Sequence, residues 1–189
     1  MIINVGIRKL FILGLIMVSI YAFSLNKAID TYPIPAKTDK LLFYLQRSKN
    51  KNTIIYELNT LPDGTLNQEE PIHPYWLRYE EGGKKMELSY IQNKLAFGID
   101  AVLADKQRGD YILTMVSYKN KSLLLQKQLI NNKYTYRVIM LLNGKLSELQ
   151  SIFVNAVDNL FGYPKVESIE LFGIDLKSCK KVYEKIIPY

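Results

Sequence analysis

The residues best equipped for chemistry lie together in the stretch His73-Pro74-Tyr75-Trp76-Leu77-Arg78-Tyr79-Glu80-Glu81-Gly82-Gly83, which holds the single histidine and the single tryptophan of the chain. Trp76 and its tyrosine neighbours have ring faces that stack on the apolar side of a sugar, and Arg78 has a planar fork that grips a carboxylate or phosphate through two hydrogen bonds. His73, Trp76, Arg78, Tyr79 and, further along, Tyr90 are therefore the candidate ligand-binding residues. The same residue types also suit packing: a large aromatic on a strand usually fills a core, and Arg78 has Glu80 and Glu81 within reach for a surface ion pair. Carboxylates near residues 73–81 raise a second reading, glycan hydrolysis, which needs two acids about 5 to 9 Å apart in a cleft.

Other catalytic constellations are missing from the sequence. A zinc or iron site needs several spaced ligands, and His73 and Cys179 stand alone at opposite ends of the domain, so neither a metal nor another cofactor is expected. A serine nucleophile would need His73 as its base, and no Gly-x-Ser-x-Gly elbow is present. Cys179 sits in Lys177-Ser178-Cys179-Lys180-Lys181, where cations favour the thiolate, yet no base partner is evident and a loop-tip cysteine is the plainer reading. Asn120-Lys121-Ser122 is a glycosylation sequon that otherwise reads as an exposed hairpin turn, and no glycine-rich phosphate loop occurs.

The elements that must position these residues read as strands. Leu41 to Arg47 and Thr53 to Leu58 flank the turn Ser48 to Asn52 as a hairpin, and Pro62-Asp63-Gly64 is a strong turn signal. His73 to Tyr79 alternates, placing His73, Tyr75, Leu77 and Tyr79 on one face and Trp76 and Arg78 on the other. After Gly82-Gly83 the period changes. Leu88, Ile91 and Leu95 at helical spacing predict a helix over Lys84 to Phe97, ended by Gly98, with that stripe buried. Ile99 to Leu103, Tyr111 to Tyr118, Leu123 to Leu129 and Tyr134 to Leu142 follow as strands, with turns at Gly109-Asp110, Asn120 and Asn131-Asn132. Asn143-Gly144 is the clearest hairpin turn, pairing Tyr134 to Leu142 with Lys145 to Asn155. Beyond Asp158-Asn159 and Gly162-Tyr163-Pro164, Val166 to Leu171 and Lys181 to Ile187 are the last strands, with Cys179 in the loop between them. The expected fold is mainly β, an antiparallel barrel or two-sheet sandwich of about nine strands with one short helix, because open edges invite aggregation.

The N-terminus has a different composition. Arg8 and Lys9 precede the apolar run Leu10 to Phe23, no acid occurs before Asp30, and Ala22 and Ser24 are small residues placed for cleavage after Ser24. Residues 1–24 therefore read as a signal peptide, or alternatively as an inner-membrane anchor, although a spanning helix wants about 20 apolar residues. Residues 25–39, with Pro33 and Pro35, read as an extended linker, and residues 40–189 as one β-rich domain of an exported, periplasmic or cell-envelope protein. With a single cysteine the domain is held by its core and not by an internal disulfide, and no lipidated cysteine follows the apolar run. Without Arg8 and Lys9 the chain has 23 basic residues against 18 acidic ones, a net charge of +5. That charge suits solubility first, and contact with an anionic membrane surface or polyanionic glycans second. Nucleic acid is not an expected partner, since the lysines are scattered and no recognition motif is present. The function these features favour is non-enzymatic: binding a small apolar or amphipathic ligand within the β scaffold, or pairing with an envelope protein, by strand addition among other ways.

Four short words, Leu41-Leu42-Phe43-Tyr44-Leu45-Gln46-Arg47-Ser48, Trp76-Leu77-Arg78-Tyr79, Glu87-Leu88-Ser89-Tyr90-Ile91-Gln92 and Ala96-Phe97-Gly98, give the chain a resemblance to domain-of-unknown-function family 4833. The resemblance runs from about residue 38 to the C-terminus and implies a short exported bacterial protein. It implies no catalytic residue and no ligand. Members of the family often carry a glycine near the position of Cys179, so the resemblance marks this thiol as a local departure.

Overall fold

The structure is a computed structural model and describes residues 32–130, 132–158 and 164–188. The expected signal segment 1–24, the start of the linker, Asn131, and the turn residues Asn159, Gly162 and Tyr163 lie outside the described residues.

The alternating stretches after residue 40 form eleven strands in one sheet. They are β1 (Leu41–Arg47), β2 (Asn50–Leu58), β3 (Ile72–Arg78), β4 (Lys84–Glu87), β5 (Ile99–Asp105), β6 (Asp110–Met115), β7 (Tyr118–Ile130), β8 (Lys133–Leu142), β9 (Lys145–Asp158), β10 (Pro164–Asp175) and β11 (Lys181–Ile186). Nine of them run in the order β4-β3-β2-β1-β9-β8-β7-β6-β5, and the long hairpin β10–β11 joins through β9.

The centre of this arrangement is a fork on β9. Its residues Lys145 to Glu148 pair antiparallel with β8, and Ser151 to Val154 pair parallel with β1. Because β10 occupies the opposite edge along both stretches, β8 and β1 share one edge of β9, one at each end. From there β1–β4 and β8–β5 diverge as two wings whose inner faces meet. Leu42, Phe43, Leu45, Ile54, Tyr56 and Trp76 from one wing and Leu113, Leu125, Val138, Met140 and Leu142 from the other belong to a single buried cluster. Register shifts in β1, β5, β9 and β10 add local twist, the device by which a sheet curls. The result is a curled half-barrel, mainly β as expected, with one short helical segment.

That segment differs from the expected helix. Lys84 to Glu87 extends as β4 along the free edge of β3, with Met86 opposite Trp76, and the helical turn begins only at α1 (Tyr90–Gln92) before widening to a π turn over Asn93–Phe97. Ser89 and Gln92 form a capping box that fixes this later start. The stripe is not buried either: Ile91 and Leu95 are 67% and 73% exposed, and of the three only Leu88 packs on the core. Helical spacing in Leu88, Ile91 and Leu95 lost to an unpaired strand edge, whose backbone hydrogen bonds are available only in the tertiary structure.

Three turns also move. β2 starts at Asn50, opposite Arg47, so Ser48 and Lys49 alone make the first turn. Tyr79 leaves β3 and enters a 3-10 turn, Tyr79–Glu81. Met115 pairs with Tyr118, which puts the next turn at Val116-Ser117 and places the sequon Asn120-Lys121-Ser122 inside β7, not in a hairpin turn. The Asn143-Gly144 turn is as expected: φ is +47° and +74° and Leu142 pairs with Lys145.

Candidate functional site

The strand β3 divides the residues the sequence singled out. Trp76 faces inward and is 6% exposed; its ring meets Phe97 edge-on at 5.3 Å, the Arg47 guanidinium lies 4.9 Å over it, and its Nε1 donates to Gln92 Oε1 at 3.3 Å. Arg78 donates to Glu81 Oε1 at 2.6 Å, the surface pair its spacing allowed. Tyr79 is half-buried, and burial raises its phenol above the ordinary value. Tyr90 stands 78% exposed on the helical turn. These side chains do not converge on one place.

His73 belongs to a different group, on the outer face of β2–β3–β4. Register sets Glu57 opposite His73 and Glu87 opposite Tyr75. The imidazole stands between two carboxylates, with Nε2 2.7 Å from Glu87 Oε2 and Nδ1 3.8 Å from Glu57 Oε1. Glu57 also accepts from the Tyr75 hydroxyl at 3.1 Å and from Lys85 Nζ at 3.2 Å, while that ammonium lies 3.6 Å over the Tyr75 ring. Burial, then the Glu57 charge, pushes Tyr75 up to about 12. The group is a saturated cross-strand network, each member already partnered.

The hydrolase reading asked for two enclosed acids near residues 73–81. Glu80, Glu81 and Glu87 are all exposed. Glu80 accepts from Lys51 N–H and Asn52 Nδ2, and Glu81 is paired with Arg78. No shielded pair exists there to hold one carboxyl protonated and the other ionised, so the geometry gives no support to acid–base work on a glycosidic bond. Among the described residues no group of three or more His, Cys, Asp or Glu side chains stands close enough to hold a metal ion.

The interior offers little room. An apolar cavity of about 60 Å³ lies between Leu45, Met115, Met140, Ile152, Ile169 and Leu171, and neither Trp76, Arg78 nor Tyr90 lines it. A cavity that accepts benzene is on the order of 150 Å³, so this one is too small for an amphipathic ligand.

β3 borders one cleft, of about 480 Å³, where His73, Pro74 and Glu87 face Asn93, Lys94 and Asp100, but it contributes nothing to the two larger concave surfaces. Two clefts of about 910 Å³ and about 970 Å³ share Leu61, Gly64, Leu66, Tyr134 and Tyr136, so they form one groove on either side of the Leu61–Leu66 turn. The turn is built by its sequence: Asp63 Oδ1 accepts from Thr65 N–H and Oγ1 at 2.9 and 2.6 Å, and Leu61 N–H reaches Thr65 O at 2.8 Å. Opposite it, β6 and β8 present Tyr111, Tyr134 and Tyr136. Tyr111 is nearly buried, whereas Tyr134 is 63% exposed with Lys127 Nζ 4.1 Å over its ring. Burial raises both Tyr111 and Tyr136, the latter helped by the Asp110 charge and Tyr111 itself, so both hydroxyls stay neutral donors and acceptors. Lys40, Lys106, Arg108, Lys127 and Lys133 line the groove against Asp39 and Glu69.

The gathering of these tyrosines is not legible in the sequence. Tyr134 and Tyr136 share a parity on β8, which was legible; their meeting with Tyr111 and with the turn at residues 61–66 depends on the pairing of wings.

A family model for a domain of unknown function, DUF4833, matches residues 43–185. The chain belongs to this family. The matched span runs from β1 into β11 and so takes in both wings and the groove tyrosines, as the resemblance implied. No curated protein and no solved structure matches the chain. The four words that carry the DUF4833 resemblance meet in space: Arg47, Trp76, Gln92 and Phe97 close one end of the core together, and Tyr56 donates to Phe97 O at 2.9 Å beneath them. They are packing residues of one cap.

Proposed function

We propose that this DUF4833 domain is a non-enzymatic binding module of the cell envelope, exported by residues 1–24, that holds an extended ligand in the tyrosine-lined groove. The observation that carries the reading is the groove itself: open, continuous, walled by a firmly hydrogen-bonded turn on one side and by neutral tyrosine hydroxyls and cations on the other. Preformed concave surfaces with a few convergent polar groups are the usual seat of ligands. The small size of the apolar cavity beside Leu45 and Met140 favours this surface over a buried ligand, and the saturated His73 network favours binding over catalysis.

Export rests on the run Arg8-Lys9 followed by Leu10 to Phe23, and the basic balance of the remaining chain suits an anionic envelope component. The test is amide hydrogen exchange of the full chain, measured separately with the polysaccharide, lipid and protein fractions of the host envelope. One fraction should slow exchange over residues 61–66 and 133–136. Slowing confined to the outer face of β2–β4, or none with any fraction, overturns the reading.

A further inference from the structure

The charge and ring chemistry of the groove identify a class of ligand, provided that the groove is the binding site. We infer that it takes an acidic glycan, a chain of sugars bearing carboxylate or sulfate groups. Tyr134 is the first reason. Its ring projects from β8 with most of its surface open, and the Lys127 ammonium at 4.1 Å holds it in place as a platform. A flat exposed ring of this kind stacks on the C–H face of a pyranose, and Tyr136 lies two residues along the same face of β8, continuing the platform inward.

The cations are the second reason. Lys133 is spoken for by Asp39 at 2.7 Å and Arg108 by Asp105 at 2.7 Å. Lys106 has no ion pair among the described residues, and Lys127 has only the Tyr134 ring. Two ammonium groups therefore line the same cleft as the aromatic platform with charge available to an incoming anion, at the end of the groove where Glu69 is the one opposing acid in the lining. The third reason is the neutral rim: Gln68 and Gln107 supply amide donors and acceptors that match sugar hydroxyls, while Asn67, whose Oδ1 already accepts from Glu69 and Glu70 N–H, adds only its amide donors. A lipid tail would leave those amides unpaired, whereas single-stranded nucleic acid would use rings, cations and amides alike and is told apart by the dT12 probe.

Isothermal titration of the full chain with hexagalacturonate, a heparin hexasaccharide, maltohexaose and a dT12 oligonucleotide tests the assignment. At about 0.15 M salt, where loose charge contacts are screened, at least one acidic hexasaccharide should bind about tenfold or more tighter than maltohexaose, by the size of one stacking contact. Tyr134→Ala and Lys127→Ala should each cut that affinity about tenfold, while Tyr134→Phe, which keeps the ring, should retain it. Tyr134 is exposed, so its truncation leaves the core intact, and an unchanged urea midpoint of Tyr134→Ala verifies that. Failure of both acidic probes, affinity indifferent to Tyr134→Ala, or tighter binding of dT12 overturns the glycan assignment. If an envelope fraction still protects residues 61–66 and 133–136, the groove remains the binding site and only the ligand class is wrong; if none does, both fall.

Discussion

Cys179 shows how one residue can sit against its backbone. Its φ is +55°, in the left-handed region where a Cβ crowds the following carbonyl, and its N–H closes a turn onto Asp175 O at 2.9 Å. A glycine fits this conformation without strain. Cys179→Gly should raise stability by about 1 kcal/mol, the strain relieved less the added freedom of the unfolded chain, read from the urea midpoint. Glu184 makes the opposite point, a charge the fold protects. It faces inward from β11 and pairs with Lys121 while accepting from Asn143 N–H at 2.9 Å. Burial alone would raise its carboxyl, but the Lys121 and Asn143 contacts outweigh burial and hold it below the ordinary glutamate value of 4.5. A depressed folded pKa means that the unfolded state takes up protons first, so this contribution to stability is complete above the unfolded value and fades as pH falls through the folded one. Urea unfolding between neutral and acid pH should show that loss, and Glu184→Gln should be less stable at neutral pH with a flatter acid limb.

At the scale of elements, the strands were legible wherever a turn was chemically explicit. Asn143-Gly144 specifies its own hairpin because both positions accept positive φ. Over Lys84 to Phe97 the helical pattern misleads, because residues three and four apart satisfy it whether or not a core waits for them, and the first four residues form a strand. The β9–β10 ladder carries a device that no local pattern reveals. Gly173 lies where β10 passes the end of β8, and a Cβ there would sit 2.6 Å from Leu142 Cδ1 and 2.7 Å from Glu148 O. The carbonyl belongs to a paired strand and has little room to retreat. Gly173→Ala should therefore cost about 1–3 kcal/mol through overpacking, seen as a lowered thermal midpoint. A neutral result would mean that the fork between β8 and β9 is looser than its hydrogen bonds suggest.

For the molecule as a whole, the fork on β9 makes one core out of two wings. Trp76 sits where the β1–β4 wing meets the helical turn, and its removal takes away the ring shared by Arg47 and Phe97. Trp76→Phe keeps most of that packing; Trp76→Ala should cost about 3–5 kcal/mol. Because both wings contribute to one buried cluster, Trp76 fluorescence and far-ultraviolet circular dichroism should follow a single urea transition in the parent chain. Two separate transitions would show that the wings fold apart. The residues alone fix only local features: strand after strand by alternation, the tight turns by their glycines and asparagines, the apolar N-terminal run by composition, and the family resemblance by four short words. The parallel pairing of β1 with β9, the capture of Lys84 to Glu87 by an open edge, and the meeting of Tyr111, Tyr134 and Tyr136 across from the turn at residues 61–66 were decided by tertiary structure alone. Alternation reports which side of a strand faces inward but not which strand lies beside it, and a groove between distant segments exists only once that choice has been made.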